Sequence, residues 1–499
     1  MRAFIDARSL PEGTTLETDL AIIGGGPAGI SLALALADTP IRMVLLESGG
    51  ERPDPATQAL YAGKEDGVHY IPLDATRLRF LGGCSNHWGG WCRPLDPIDF
   101  ERRDWLDHSG WPFGRAEIEP YYARAQSLIE AGPFIYDTPE KWTAALGAPV
   151  KLGAGGVYTT YFQFSKQRGS VLPTHFGERY GDDLKHIPRL HTYLHANVTG
   201  LRLSHDAQRL DHLDVATLAG NRFTVKPKIV VIATGGLETP RLLLASNDVM
   251  RSGVGNANDL VGRYFADHPI PGATATLVLF DGVPAPYYQQ PQSANGAWFR
   301  AAFAPHDAFK RDHQVLGSLA TVEGEVQLDE VGQAAATEMA LLFGHDPAAM
   351  RAYTLGCGME LAPDPDRRLT LIDQKDALGM PRARLSMRVS DEDFLRYRNT
   401  LKELGRQLLA AKSGMLRLLR SSRAEWLAEM DWGNHHMGTT RMHADPKLGV
   451  VDANSRIHGI GNLFVAGSAM FPTYGASNPT LNLLALVLRL ADHLKEKMR

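Results

Sequence analysis

The stretch Asp19 to Gly29, Asp-Leu-Ala-Ile-Ile-Gly-Gly-Gly-Pro-Ala-Gly, constrains this chain more than any other. An apolar run, Leu20 to Ile23, leads directly into a glycine turn and then into a small, apolar segment, residues 30–38, of helical composition. Gly24, Gly26 and Gly29 fit the pattern G-x-G-x-x-G. In such a pattern the first glycine permits the tight turn. The second lets a pyrophosphate approach the backbone, and the third lets the helix pack close on the strand. The unpaired N–H groups at the helix start then face the phosphates. A second apolar run, Arg42 to Leu46, ends in Glu47. A carboxylate about 20 residues past the fingerprint accepts hydrogen bonds from a ribose diol and disfavours a 2′-phosphate. The reading is α/β, with a Rossmann-like dinucleotide-binding domain at the start of the chain.

The rest of the chain is too long for one small core. With 499 residues, two closely joined domains are expected. Hydrophobic residues at 44% and charged residues at 22% suit a soluble globular enzyme, and a net charge of −4 argues against a nucleic-acid partner. Cys84, Cys92 and Cys357 are odd in number, so no disulfide framework is expected and a reducing, cytoplasmic location follows. Met1 to Thr18 carries Asp6, Glu12 and Glu17 and no apolar core, unlike a signal peptide. The longest apolar runs, such as Leu483 to Leu488, fall far short of a membrane span.

Beyond a turn-rich segment, Gly49 to Asp74, lies Phe80-Leu-Gly-Gly-Cys-Ser-Asn-His-Trp-Gly-Gly-Trp91. Glycines permit close backbone approach to a flat ligand, and the tryptophans supply apolar area with one N–H donor each. Gly82-Gly-Cys-Ser-Asn-His-Trp88 resembles the flavin-cradling loop of the glucose–methanol–choline (GMC) family of FAD oxidoreductases. It is nearest to the branch of pyranose oxidase, fructose dehydrogenase and glycoside 3-oxidase. Gly110-Trp-Pro and Glu119-Pro-Tyr-Tyr are similar to the same sugar-oxidising group. The resemblance implies FAD as cofactor. It implies that Gly82, Gly83, Ser85, Asn86, His87 and Trp88 line the flavin. Relatives occur with and without a covalent bond from flavin to the histidine matching His87.

Leu190 to Leu203 reads as strands around a turn, and the resemblance sets Val198 beside the adenine. Ile229 to Leu244 reads as a buried parallel strand, a glycine turn and a helix with Pro240 in its first turn. Ala233-Thr-Gly-Gly236 resembles the family's second nucleotide-side turn, adding Ala233 and Gly235 to the cofactor set. Val261 to Pro269 resembles its exit to a substrate domain, and His268 there reads as a structural histidine. Strand-like runs follow at Ala273 to Phe280, His313 to Val322, Tyr353 to Leu361, Arg368 to Ile372 and Arg382 to Val389. Leu395 to Leu409 reads as an amphipathic helix whose N-terminal Asp391, Glu392 and Asp393 are capping charges, not a metal site. The expected division is a FAD-binding domain over 1–100, 176–268 and 434–499. The expected substrate-binding domain, over 101–175 and 269–433, is an antiparallel β-sheet with helices.

Chemistry-bearing residues concentrate near the C-terminus. His435-His-Met-Gly-Thr-Thr-Arg-Met442 matches the family pattern H-x-x-G-T-x-R-M, which maps the catalytic base to His435 rather than His436. The two histidines are adjacent and would point apart, so they do not suit a metal. The family's second catalytic position, histidine or asparagine, maps to Asn478. Asn478 also precedes Pro479 and an apolar run, an N-cap signature. The resemblance extends the cofactor set to Ser48, Gly467, Ser468, Pro479 and Thr480. It implies FAD-dependent oxidation of an alcohol C–OH to a carbonyl, with His435 taking the hydroxyl proton while hydride goes to the flavin. The expected substrate is a sugar or glycoside, with an amino sugar, polyol or sterol as alternatives. The acceptor is oxygen or a quinone-like or protein acceptor. A nicotinamide-dependent dehydrogenase would explain the glycine turn but not the His87 loop. A flavin-binding protein without turnover would not explain His435 and Asn478 together.

Overall fold

The computed structural model describes residues 4–136, 138–166 and 172–499. Two large sheets organise the chain. In the first, strands run in the order Ile5–Asp6, Leu190–Leu194, Met43–Leu46, Thr15–Ile23, Arg222–Ile232, Leu210–Ala216 and Asn197–Leu203. The long strand Arg222–Ile232 changes partner along its length. Its first residues pair antiparallel with Leu210–Ala216, and its last three pair parallel with Leu463–Val465. At its other edge it runs parallel to Thr15–Ile23. The central parallel strands are buried at their carboxyl halves, which is why residues 20–23, Met43–Leu46, residues 229–232 and Leu463–Val465 read as continuous apolar runs. Helix Pro27–Ala35, almost wholly buried, and helix Pro479–Lys497 pack beside one another against this sheet.

The second sheet is antiparallel, in the order Gly414–Leu418, Ala275–Leu279, Arg351–Met359, Ser318–Glu325, Ala297–Pro305, Val157–Phe164 and Trp91–Cys92. Helix Asp391–Ala410 lies across it, burying Phe394, Tyr397, Leu401, Leu404 and Leu408 in the core beneath. The helix starts in a capping box in which Ser390 and Asp393 satisfy each other's backbone N–H. Two strands from residues 1–100 leave the first sheet. Trp91–Cys92 edges the second, and Lys64–Gly67 pairs with Pro381–Met387.

Some elements differ from the expectation. The strand expected from His313 begins at Ser318, because Asp307–His313 is a helix that stops at Gln314 in the left-handed conformation. Helix Glu330–Leu342 carries no apolar stripe that sequence reading would detect, since Val331, Leu341 and Leu342 are exposed. Pro240 sits well inside helix Gly235–Ala245 rather than in its first turn. A proline there leaves the carbonyl four residues back without its N–H partner. That carbonyl, on Gly236, instead accepts the Thr439 hydroxyl at 2.7 Å, which ties the helix to the His435 segment.

Candidate active site

The parallel strands Thr15–Ile23, Met43–Leu46, Arg222–Ile232 and Leu463–Val465 all end on one cavity of about 310 Å³. Ligands of open parallel sheets bind at this edge, outside the carboxyl ends of the strands. The glycine turn forms one wall. Gly24 has φ 107° and packs so close to the Ala233 carbonyl that a Cβ would meet its oxygen at 2.6 Å. A Cβ on Gly29 would collide with the Gly24 carbonyl. A Cβ on Gly26 would meet no protein atom within 4 Å, and the same holds for Gly235 and Gly467. Those three glycines line the cavity, so they leave open space where a ligand would lie, and a flat dinucleotide fits that arrangement.

Glu47 accepts the Gly25 and Gly49 backbone N–H groups at 2.7 Å each, one on each oxygen. The carboxylate thereby fixes the glycine turn and keeps lone pairs for a ligand. Ser48 donates to Glu47 at 3.2 Å. Val198, Ala233 and Gly235 line the same end, together with Tyr61, Arg79 and Glu238, which sequence reading did not find. Arg79 bonds Glu238 at 3.2 Å and Asn197 at 3.2 Å. Burial opposes the Glu238 charge, but the guanidinium groups of Arg241, Arg79 and Arg77 hold its carboxyl down at about 2.

Gly83, Ser85, His87 and Trp88 line the cavity from the loop at 82–88, with Cys84 and Trp91. Gly82 and Asn86 do not. Gly82 (φ 97°) makes the turn, and Asn86 donates to the Leu81 carbonyl at 3.0 Å, so both shape the loop from behind. Ser85 bridges the Gly82 carbonyl and the Phe176 N–H, which also spends its side chain on the loop. Burial lowers the His87 pKa, leaving a neutral ring facing the cavity. Gly467, Ser468, Asn478, Pro479 and Thr480 close the remaining wall.

The far end of the cavity holds His435 and Asn478. Asn478 is the residue before helix Pro479–Lys497, but its side chain does not cap the helix. Its Nδ2 instead lies 3.2 Å from His435 Nε2. Two short antiparallel segments place His435. Pro269 pairs with Trp432, and Ala266 pairs with Met437. That register sets His268 against His435, with their Nδ1 atoms 2.8 Å apart. The Asp267 carboxylate accepts the backbone N–H of His268 at 2.7 Å, that of His435 at 2.8 Å and the Tyr70 hydroxyl at 2.5 Å. Burial pushes the Asp267 carboxyl up to about 7.

Burial, reinforced by the neighbouring His268 and His436, lowers the His435 pKa well below the ordinary 6.5. His435 is therefore a neutral imidazole over a wider pH range than an exposed histidine. His436 turns away from it, into Tyr70 and Phe265, though it too lines the cavity. Among the described residues, no group of three or more His, Cys, Asp or Glu side chains could hold a metal ion. His268, read from sequence as structural, is in direct contact with His435. Only the long-range strand pairing reveals that contact.

A parallel α/β sheet with a dinucleotide cavity at its carboxyl edge, facing a neutral histidine–asparagine pair, defines a nucleotide-dependent oxidoreductase. The chain belongs to the GMC oxidoreductase family, whose N-terminal family model matches residues 76–270 and whose C-terminal one matches residues 363–486. It is an FAD-dependent oxidoreductase acting on CH–OH donors. The chain is 26% identical to the fructose dehydrogenase large subunit of Gluconobacter japonicus, over 96% of this chain and 98% of that protein. It is 26% identical to the C-glycoside 3-oxidase of Microbacterium trichothecenolyticum, over 91% of this chain and 82% of that protein. In fold it is similar to pyridoxine 4-oxidase from Mesorbium loti, with a TM-score of 0.62, 21% identity, and coverage of 95% of this chain and 99% of that one. No helix among the described residues is long and apolar enough to cross a membrane.

Proposed function

We propose that this enzyme oxidises a hydroxyl of a sugar or glycoside to a carbonyl, with His435 as general base and Asn478 orienting the alcohol. The observation that carries this reading is the His435 Nε2–Asn478 Nδ2 pair at one end of the cavity. An alcohol oxygen seated between them donates its proton to Nε2 and accepts from the amide. FAD, when bound, supplies the hydride acceptor. A neutral base taking the proton as hydride leaves means that no bare alkoxide forms in a buried pocket. Trp88 and Trp91 line the same cavity and offer apolar faces to a pyranose ring, while Asn434 adds a polar group. The fructose and C-glycoside relatives support the substrate class.

Gly24, Gly26, Glu47, Ser48, Val198, Ala233 and Gly235 would hold the adenosine and pyrophosphate part of FAD. Gly83, Ser85, His87 and Trp88, with Gly467, Ser468, Pro479 and Thr480, would hold the flavin. His87 would meet the dimethylbenzene edge of the flavin, the position from which some relatives bond the flavin covalently and others do not. It lines the cavity with a neutral ring. The FAD-binding domain takes 1–100, 176–268 and 434–499 and the substrate domain takes 101–175 and 269–433, with Lys64–Gly67 and Trp91–Cys92 as strands that the first lends to the second. The three free cysteines support a cytoplasmic location. Anaerobic mixing with a panel of sugars and glycosides, followed by oxygen, tests the reading. Bleaching of the flavin by at least one of them is expected. A flavin that stays oxidised with every sugar, yet bleaches with a non-sugar alcohol, would reassign the substrate.

A further inference from the structure

His268 is buried, lies outside the family's histidine–asparagine pair, and makes two ring contacts whose chemistry can be read in one way only. Its Nε2 lies 3.0 Å from the Gly475 carbonyl oxygen. A carbonyl can only accept, so His268 Nε2 carries a hydrogen. A neutral imidazole protonated at Nε2 has a bare Nδ1. That bare Nδ1 faces His435 Nδ1 at 2.8 Å, so His435 Nδ1 must be the donor. His435 Nε2 is then left with its lone pair. The group it meets, Asn478 Nδ2 at 3.2 Å, is a donor. Every member of the chain Asn478–His435–His268–Gly475 is thus satisfied in a single direction. Burial keeps His268 neutral, with its pKa lowered to about 4. Gly475, which supplies the acceptor carbonyl, is closely packed: a Cβ on it would collide with the Asp99 carboxylate, and a Cβ on Gly317 would meet the Gly475 Cα at 2.8 Å.

We infer that His268 is a positioning residue for the oxidation: by accepting His435 Nδ1–H it fixes the base in the tautomer whose Nε2 lone pair faces the substrate hydroxyl. This rests on His435 being the base. When Nε2 takes the substrate proton, the imidazolium keeps its Nδ1–H bond to His268, so the new charge meets an acceptor already in place. A buried imidazole without that acceptor is free to carry its hydrogen on Nε2, which blocks the base. The analogous loss of a tautomer-fixing partner in serine hydrolases costs about 10⁴ in rate. The orienting acceptor there is a carboxylate. A neutral acceptor here is expected to matter less, roughly 10²–10³ by the same logic.

The test uses flavin-loaded enzyme with ¹⁵N-labelled histidine, the His435 signals being assigned by their loss in His435→Gln. Wild type is expected to show His435 protonated on Nδ1. His268→Leu is expected to move that proton to Nε2 and to slow anaerobic flavin reduction by roughly 10²–10³, with little change in the half-saturating substrate concentration. His268→Asn, whose Oδ1 can replace the Nδ1 acceptor, is expected to keep the Nδ1–H tautomer and recover most of the rate. Should His268→Leu fail to hold flavin, His268→Asn and wild type still decide the matter. Wild-type His435 protonated on Nε2 overturns the inference, as does a His268→Asn enzyme that loses the Nδ1–H tautomer yet reduces flavin at the wild-type rate. The tautomer is read without substrate. An Nδ1–H signal in wild type beside an unimpaired His435→Ala would instead remove the base assignment and leave the hydrogen-bond chain standing.

Discussion

The two ends of the cavity are built by different means. The glycine-turn end is centred on one continuous stretch, in which a strand, a turn and a helix present backbone N–H groups and Glu47 locks the turn from the next strand, while Val198, Ala233 and Gly235 complete its wall from elsewhere in the sheet. The His435 end is assembled from segments far apart in the chain, around 87, 268, 435 and 478. At the first end the requirement is steric, because glycines hold space open. At the second it is directional, because each hydrogen bond decides where the next proton sits. Substitutions at the first end should abolish cofactor binding, whereas those at the second should leave the cofactor bound and slow the chemistry.

The largest expected effect breaks the first end. Gly26→Val projects its side chain into the cavity and should give folded protein with no flavin, read as flavin per protein after purification. Gly29→Ala sharpens the point. Its Cβ collides with the Gly24 carbonyl, so the thermal midpoint should fall as well as the flavin content. A fully flavinylated Gly26→Val protein would refute the steric account. At the second end, Asn478→Ala removes one donor to the alcohol oxygen and should slow flavin reduction by roughly 10²–10³, the usual cost of such a donor, with flavin content unchanged.

Smaller effects separate the ends further. Because burial lowers the His435 pKa, its base form survives as pH falls through 6.5. Flavin reduction should therefore stay level from pH 8 down past 6.5 and fall only below it. An acid limb centred at or above 6.5 would contradict the burial of the base. The same groups shape acid stability. His268 and His436 have folded pKa values depressed to about 4 and about 3, so their contribution is present above 6.5 and is lost as pH falls through those values. The smallest test bears on His87. Acid precipitation decides whether it holds the flavin covalently: a yellow pellet means the flavin is attached, and a yellow supernatant means it is free.

The first end was legible because its determinants are local. The spacing of Gly24, Gly26 and Gly29 marks the turn, but not that the Glu47 carboxylate accepts the Gly25 and Gly49 N–H groups that hold it. The family pattern points to His435 and Asn478, but not to the fact that the Asn478 side chain leaves its helix uncapped to meet His435. Gly82 and Asn86 were assigned to the flavin with their whole loop, since a sequence pattern does not say which residues turn and which face inward. Arg79 and Glu238 were missed because buried ion pairs between distant segments leave no periodic signal. The contact of His268 with His435 was hidden for the same reason. The two lie 167 residues apart and are brought near only by the pairing of 266–271 with 430–437.

The most direct test of the account compares the two adjacent histidines in anaerobic rapid mixing with a reducing sugar or glycoside. His435 meets Asn478 and His268, whereas His436 packs on Tyr70 and Phe265. His435→Ala should keep its flavin and lose roughly 10²–10⁴ in the rate of flavin reduction, the usual share of a positioned base. His436→Ala should lose far less. A dead His436→Ala beside a working His435→Ala would contradict the assignment of the base and, with it, the directional hydrogen-bond chain at that end of the cavity.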